Sequence, residues 1–457
     1  MIYYVVLLLS FFLIALIIRL NRSVFYTLAE YSVALVNELI ADIDEELKMK
    51  QVQKRTNRLV ISLIKMFLLI FLALSIGSIP VVIYCFATRT GYNNLIFSSF
   101  YSILSISLGA TVPFIIPFGK KNESGYSELS QLLHRIALNN YYIALKLFKQ
   151  ETKKIKRKGL ERRQDFVIIS GLARAGTTSM MNDLAKIDAF VSLSYANMPF
   201  LLCPNLWAKF YKPKSNELKE RSHKDGILIG LNSNEAFEEY FFKVKANDSY
   251  IKDSYLSEYE ISREDYGDYL DYHCIIKHDN KKTYLAKNNN FLLRYKSVRE
   301  FNDSFIMVIL YRDPLTHAAS LMEKHNDYKK MQKEDPFVLE YMNWLGHYEF
   351  GENQKTFIFN ITEDSFQDDR ASLDYWLKFW INYYSYVITI HHPNTILINY
   401  DAYCKNPKET IGTILQKTGI NAELPDYKPF INRRKTDHKY SDDIYKSALE
   451  VYRQLNN

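Results

Sequence analysis

Three long apolar runs crowd the first 118 residues of this 457-residue chain, and they limit what it can fold into more than any other feature. About 20 consecutive apolar residues at helical pitch cross the ~30 Å hydrocarbon layer of a bilayer. Ile2–Ile18 is uncharged and just long enough to span. It has no basic stretch before it and no small-residue cleavage site after it, so it reads as an anchor and not as a cleaved signal peptide. Leu59–Ala87 follows, interrupted by Lys65 near one end, where a long stem lets the ammonium reach the interface. Leu95–Phe118 is the third run, and the short link Arg89–Asn94 makes it a helical hairpin with the second. Residues 1–118 are therefore expected to form an all-α anchor of three spans, about 2–18, 59–87 and 95–118.

The basic residues set the expected orientation. Arg19, Arg22, Lys48, Lys50, Lys54, Arg55 and Arg58 lie between the first two runs, and Lys120 and Lys121 follow the third. The hairpin tip carries only Arg89. Positive loops stay on the cytoplasmic side, which puts the N-terminus outside and everything after Phe118 in the cytoplasm. Residues 119–163 read as a basic juxtamembrane segment: a partly helical apolar pattern (Leu132, Ile136, Leu145, Leu147), then Lys149, Lys153, Lys154, Lys156, Arg157, Lys158, Arg162 and Arg163. Such a face is either solvated or drawn to anionic headgroups at roughly 1 kcal/mol per basic residue. Composition alone does not separate that from nucleic-acid affinity. Behind an anchor, attraction to headgroups is expected at least as much as a solvated face, and no nucleic-acid partner is expected. Cys85, Cys203, Cys274 and Cys404 show no CxxC or Cys/His ligand spacing, so free thiols and no metal site are expected.

Residues 164–457 read as a water-soluble α/β domain, a parallel sheet flanked by helices. Phe166–Ser170 (FVIIS) is a short β-rich run of the kind buried on both faces. It feeds Gly171-Leu-Ala-Arg-Ala-Gly-Thr-Thr178, after which Ser179–Ile187 is expected to be helical. Strand, glycine-bracketed loop and helix aim backbone N–H groups and a helix N-terminus at an anion. A Walker A loop would place lysine after its second glycine to reach the β/γ-phosphates; here that position is Thr177, and the cation, Arg174, precedes the glycine instead. That suits a 5′-phosphate bearing a sulfate better than a metal-bound triphosphate.

At Arg174-Ala175-Gly176-Thr177-Thr178 the chain resembles the sulfotransferase superfamily, whose 5′-phosphosulfate loop commonly reads [KR]-[SAG]-G-T-T after a strand. Phe305–Tyr311 then runs into Arg312-Asp313-Pro314, with Ser320 eight residues after the arginine, similar to the family's 3′-phosphate site. Tyr284–Phe291, with Lys287 and three asparagines, looks like the segment before the second strand in bacterial membrane-linked members. Tyr375–Tyr384 resembles the family's tryptophan-bearing helix, and Thr395–Asp401 with Asn406-Pro407 its last core strand and following helix. Arg433 and Arg434 fall where a second basic contact to the 3′-phosphate is found. The resemblance implies 3′-phosphoadenosine 5′-phosphosulfate (PAPS) as co-substrate, no metal, and a P-loop-like fold. Arg174, Ala175, Gly176, Thr177, Thr178, Arg312, Ser320, Arg433 and Arg434 would hold the donor, and Arg174 and Lys287 would activate it.

Sulfuryl transfer also needs a base for the acceptor hydroxyl. Several branches of the family carry an acid about twenty residues after the phosphate loop; here the region reads Tyr195-Ala-Asn197-Met-Pro199, and an amide cannot take a proton at neutral pH. The replacements are His223, within Ser222–Gly226, and Glu235, which opens Asn234-Glu-Ala-Phe-Glu-Glu239. Glu235, Glu238 and Glu239 also fit ordinary helix-start acids, while His317 and His325 read as structural. A tethered cytoplasmic enzyme points to a lipid, lipid-linked sugar or surface polysaccharide as acceptor. A P-loop kinase or other nucleotide-binding enzyme, and a non-catalytic membrane scaffold that keeps the fold, are the competing readings.

Overall fold

The computed structural model describes residues 1–116, 126–212, 219–220, 228–229, 236–359, 369–430 and 436–456. The chain forms two compact units, Met1–Ile143 and Ala144–Asn457.

The first unit is built from α1 (Ile2–Leu20), α2 (Ser23–Leu39), α3 (Glu45–Thr88), α4 (Phe100–Ile115), α5 (Glu128–Leu138) and the start of α6 (Tyr141–Arg157). Asp44 starts α3 well before its apolar part by accepting from the N–H groups of Glu46 and Leu47. α1 packs against both α3 and α4. At Gly109 an added Cβ would lie 2.4 Å from the Leu8 carbonyl oxygen, and at Gly77 it would lie 2.1 Å from the Ile14 side chain. Backbones come this close only where no Cβ intervenes, the usual way helices associate in lipid. The opposite faces bear large apolar side chains, among them Phe71 at 72 %, Phe86 at 90 % and Ile115 at 76 % exposure. Such a belt suits hydrocarbon and not water.

Among the described residues two helices, where three were expected, are long and apolar enough to cross a membrane: α1 and α3. α4 has 16 residues, about 24 Å at 1.5 Å per residue, short of the ~30 Å layer. The expected third span opened at Leu95, but the chain turns over Tyr92–Asn94 and α4 starts only after Ser99, whose hydroxyl accepts from the Ser102 N–H. Apolar composition marked the run; the cap fixed where the helix begins.

The second unit is ordered around five parallel strands: β1 (Phe166–Ser170), β2 (Phe190–Val191), β3 (Thr283–Lys287), β4 (Ile306–Tyr311) and β5 (Thr395–Asn399), in the order β2-β3-β1-β4-β5. Helices α7 (Thr177–Leu184), α8 (Glu239–Ala246), α9 (Arg263–Lys277), α10 (Pro314–Glu334), α11 (Leu373–Ile388), α12 (Pro407–Thr418) and α13 (Asp442–Leu455) flank it. β1, β3 and β4 are buried at every position, which is why they read as unbroken apolar runs. Val167, Ile169, Val308 and Leu310 enter one core with Met180 and Leu184 of α7 and Ile411 and Ile414 of α12. Aromatic α11 is buried through Trp376, Trp380, Tyr383 and Tyr384, and the Tyr384 hydroxyl donates to the Leu310 carbonyl at 2.8 Å. In this order the chain runs from β1 toward the β2 edge and from β4 toward the β5 edge. Adjacent strands whose connections diverge leave a crevice at their carboxyl ends, the usual ligand position of open α/β sheets.

Candidate active site

The two loops that leave this crevice carry most of the residues singled out in the sequence. After β1 the chain turns so tightly that a Cβ on Gly171 (φ +139°) would sit 2.6 Å from the Leu310 carbonyl oxygen of β4. The Ala175 N–H closes the turn on the Leu172 carbonyl at 3.0 Å. Arg174 takes a left-handed conformation (φ +70°), a strained choice for a side chain with a Cβ and one found where function over-determines the backbone. Gly176 (φ +99°) caps α7, and a Cβ there would meet the Tyr400 ring at 2.2 Å. The first turn of α7, with Thr177 and Thr178, therefore opens on the crevice with N–H groups that have no acceptor within the helix.

After β4, Asp313 caps α10 by accepting from the Thr316 N–H and hydroxyl, each at 2.8 Å. Arg312 is 5 % exposed. It donates to the Arg174 carbonyl at 3.3 Å and to Thr316 Oγ1 at 3.4 Å, with its guanidinium 5.4 Å from the centre of the Tyr400 ring. One turn on from Thr316, the buried Ser320 hydroxyl accepts from Arg174 Nε at 3.3 Å. From the end of β3, Lys287 Nζ donates to Thr178 Oγ1 at 2.9 Å. Arg174, Arg312 and Ser320 are thus joined, and Lys287 joins Thr178 in the first turn of α7, so that three cations and two hydroxyls stand along this loop and helix start. Such a donor set holds an anion with more than one charged group.

Several side chains that support this arrangement were not among the candidate site residues. His317, expected as structural, is wholly buried; its Nδ1 lies 3.2 Å from the Trp380 indole N–H and its Nε2 2.8 Å from the Ala173 carbonyl. The indole can only donate, so the imidazole carries its proton on Nε2 and clamps the loop. Tyr400 backs both Gly176 and Arg312; burial raises its phenol against the pull of the two arginines. The asparagines after Lys287 are anchored in turn: Asn288 donates to Glu238 at 3.0 Å, Asn289 to Glu349 at 3.0 Å and Asn290 to the Gly346 carbonyl at 2.7 Å. Only the residue types of this tether were visible in the sequence, since its partners lie tens of residues away.

Asn197 folds its side-chain oxygen back onto the Ser194 N–H at 2.8 Å and so shapes its own turn. His223, Glu235, Arg433 and Arg434 lie outside the described residues. Glu239 is the first residue of α8, and Glu238 and Glu239 are buried instead of lying on a solvated helix start. Among the described residues no group of His, Cys, Asp or Glu is arranged to hold a metal.

Glu238 also receives the Tyr269 hydroxyl at 2.5 Å, and burial pushes its carboxyl up to about 7 from the ordinary 4.5. The folded chain then holds this proton more tightly than the unfolded chain. Its contribution is fully present below pH 4.5 and is lost as the pH rises to about 7. Glu238 alone should lower the stability of the full chain by about 3 kcal/mol across that window. Unfolding curves at a series of pH values test this: Glu238→Gln should remove that slope, and an unchanged slope would assign it to another group.

No family model and no curated protein matches this chain. Solved structures do. Sulfotransferase STF1 from Mycobacterium tuberculosis H37Rv shares 14 % identity over 73 % of this chain and 88 % of its own, with a TM-score of 0.39. Sulfotransferase STF9 from Mycobacterium avium shares 12 % over 80 % of this chain and 84 % of its own, with a TM-score of 0.35. Likenesses this remote decide nothing about the chemistry of this chain, which rests on its own strands and loops.

Proposed function

We propose that this chain is a membrane-tethered sulfotransferase that moves a sulfuryl group from PAPS to a hydroxyl acceptor. The observation that carries the reading is the meeting of Arg174, Lys287, Arg312 and Ser320 around a phosphate-type loop with Thr177 in place of the Walker lysine. The donor set fits the co-substrate: it offers guanidinium, ammonium, hydroxyl and backbone N–H groups, and the Asp313 carboxylate beside Arg312 is engaged in capping its own helix. In this reading Ala175–Thr178 hold the 5′-phosphosulfate end, and Arg312 with Ser320 takes the 3′-phosphate. Arg433 and Arg434 are assigned to the same phosphate on the family resemblance alone. PAPS supplies the sulfuryl group and leaves as the 3′,5′-bisphosphate. Arg174 and Lys287 stabilise the charge that gathers on the leaving phosphate oxygen, the largest electrostatic demand of the reaction. His223 or Glu235 takes the proton of the acceptor hydroxyl. Sulfate incorporation that survives both His223→Ala and Glu235→Gln would place the base elsewhere.

The full chain should bind 3′-phosphoadenosine 5′-phosphate in the absence of Mg²⁺, because the loop lacks the lysine that handles a metal-bound triphosphate. Calorimetry checks this. Binding that requires divalent metal, or equally tight binding of ATP, would favour a P-loop kinase and sink the transferase. A chain that binds the bisphosphate but transfers no labelled sulfate is the scaffold of the competing reading.

The apolar helices α1 and α3 support a membrane-associated acceptor, a lipid, lipid-linked sugar or polysaccharide. The positive loops support a cytoplasmic second unit and an external N-terminus, a placement that requires the 16-residue α4 to cross as well, with local thinning of the bilayer. Cysteine labelling that finds the C-terminus outside the cytoplasm overturns this placement.

A further inference from the structure

The first unit bears a half-open cavity of about 450 Å³ where α1 ends. Arg19 in the last turn of α1, Arg22 in the turn that follows, Glu30 on α2, and Glu128, Gln131 and Arg135 on α5 line it. Its volume lies within the range of small-ligand sites. Charges of both signs face inward: Arg22 pairs with Glu128, and Arg135 Nη1 lies 3.6 Å from a Glu30 carboxylate oxygen. Gln131 is buried, and its amide donates to the Tyr126 carbonyl at 3.5 Å.

These pairs do not explain the cavity, because opposed side chains that merely joined would close it. Both partners of Arg22–Glu128 are 42 % exposed, and half-exposed pairs contribute little to stability. A ligand that presents the same charges in a tighter fit therefore displaces them readily. A simple anion would meet two carboxylates there, and a simple cation three guanidinium groups. A ligand with a phosphate and a primary ammonium a few Å apart satisfies both. The guanidinium forks match phosphate oxygens, and the three ammonium N–H groups match the carboxylates.

Position narrows the source. α1 is apolar through Ile18, and the cavity opens at its end, at headgroup depth for a helix that spans. We propose that this cavity seats the phosphoethanolamine headgroup of a membrane phospholipid. The proposal rests on α1 crossing a bilayer and is independent of sulfuryl transfer.

The test uses the full chain in a neutral maltoside detergent, read by native mass spectrometry. Phosphatidylethanolamine, phosphatidylcholine and phosphatidylglycerol with matched acyl chains are offered, and water-soluble phosphoethanolamine is used as competitor. The ethanolamine lipid should be retained about tenfold more strongly than the choline lipid, which has no N–H to donate, or the glycerol lipid, which has no cation. Water-soluble phosphoethanolamine should displace it only at about 100-fold higher concentration, since acyl chains on the apolar belt add to the binding. Arg22→Gln with Arg135→Gln should abolish the preference, while Arg89→Gln at the hairpin tip should leave it intact. If the double variant fails to fold, Arg135→Lys keeps the charge, loses the fork, and should lower the preference several-fold at an unchanged elution volume. Equal retention of the three lipids overturns the proposal, and displacement by equimolar phosphoethanolamine overturns the lipid as its source. A chain that extracts from cells without detergent refutes instead the bilayer placement of α1.

Discussion

Arg312→Ala should weaken binding of 3′-phosphoadenosine 5′-phosphate by about 2–4 kcal/mol, roughly 30- to 1,000-fold. The size follows from the setting. Arg312 is buried, pinned by the Arg174 carbonyl and Thr316, and backed by Tyr400, so little water screens it from an anion in the crevice. Because Arg312 also steadies the Arg174 turn, the variant could weaken any ligand by disturbing the loop. Adenosine 5′-phosphosulfate, which lacks the 3′-phosphate, separates the two effects: it should lose far less affinity than the bisphosphate. Titration of both ligands against wild type and variant reads the difference directly. Equal losses would make Arg312 a support of the loop and remove its assignment to the 3′-phosphate.

Breaking the Glu239–Arg294 pair should cost the fold about 3–5 kcal/mol, the largest stability change expected of a single substitution here. Both side chains are almost wholly buried, and two parallel bonds of 2.6 and 2.8 Å join them. The Tyr250 hydroxyl donates to the same carboxylate, and the guanidinium lies 4.3 Å from the Phe242 ring centre and 5.1 Å from that of Tyr259. Glu239→Ala strands the guanidinium in this aromatic box without a counter-charge. Removing both charges together, as Glu239→Leu with Arg294→Met, also removes the desolvation penalty of both ions, and most of the lost stability should return. Denaturant unfolding of the two variants measures this. A loss under about 1 kcal/mol for Glu239→Ala would mean that water reaches the pair, contrary to its burial.

That pair also marks where pattern reading stops. Glu238 and Glu239 lie in a run whose spacing looks like a solvated helix start; only the packing of α8 against distant tyrosines turns them inward. The central strands were legible because burial on both faces forces an unbroken apolar run, as in β1 and β4. The crevice was legible from two short loops, since Arg174 and Arg312 each follow such a run and Ser320 lies two helical turns beyond Arg312. The closeness of the two loops was not legible, because it depends on β1 and β4 being neighbours and on His317 joining Ala173 to Trp380. Helix length misled in the other direction. Hydropathy counted Leu95 into a third span, whereas the hydroxyl of Ser99 starts α4 later. The tether of Lys287 through Asn288 to Glu238 joins positions 50 residues apart, and no local pattern encodes such a bond.

The glycine contacts of α1 bear on how this protein can be engineered. Gly109 accepts the α1 backbone at Leu8 and Phe12, and Gly77 accepts the side chain of Ile14. Leu7, Ser10 and Ala15 face inward along the same helix. α1 is therefore a keyed part and not an interchangeable leader. A chimaera carrying another apolar 19-residue segment in its place would match it in every hydropathy plot and still lack the relief that α3 and α4 were cut to receive.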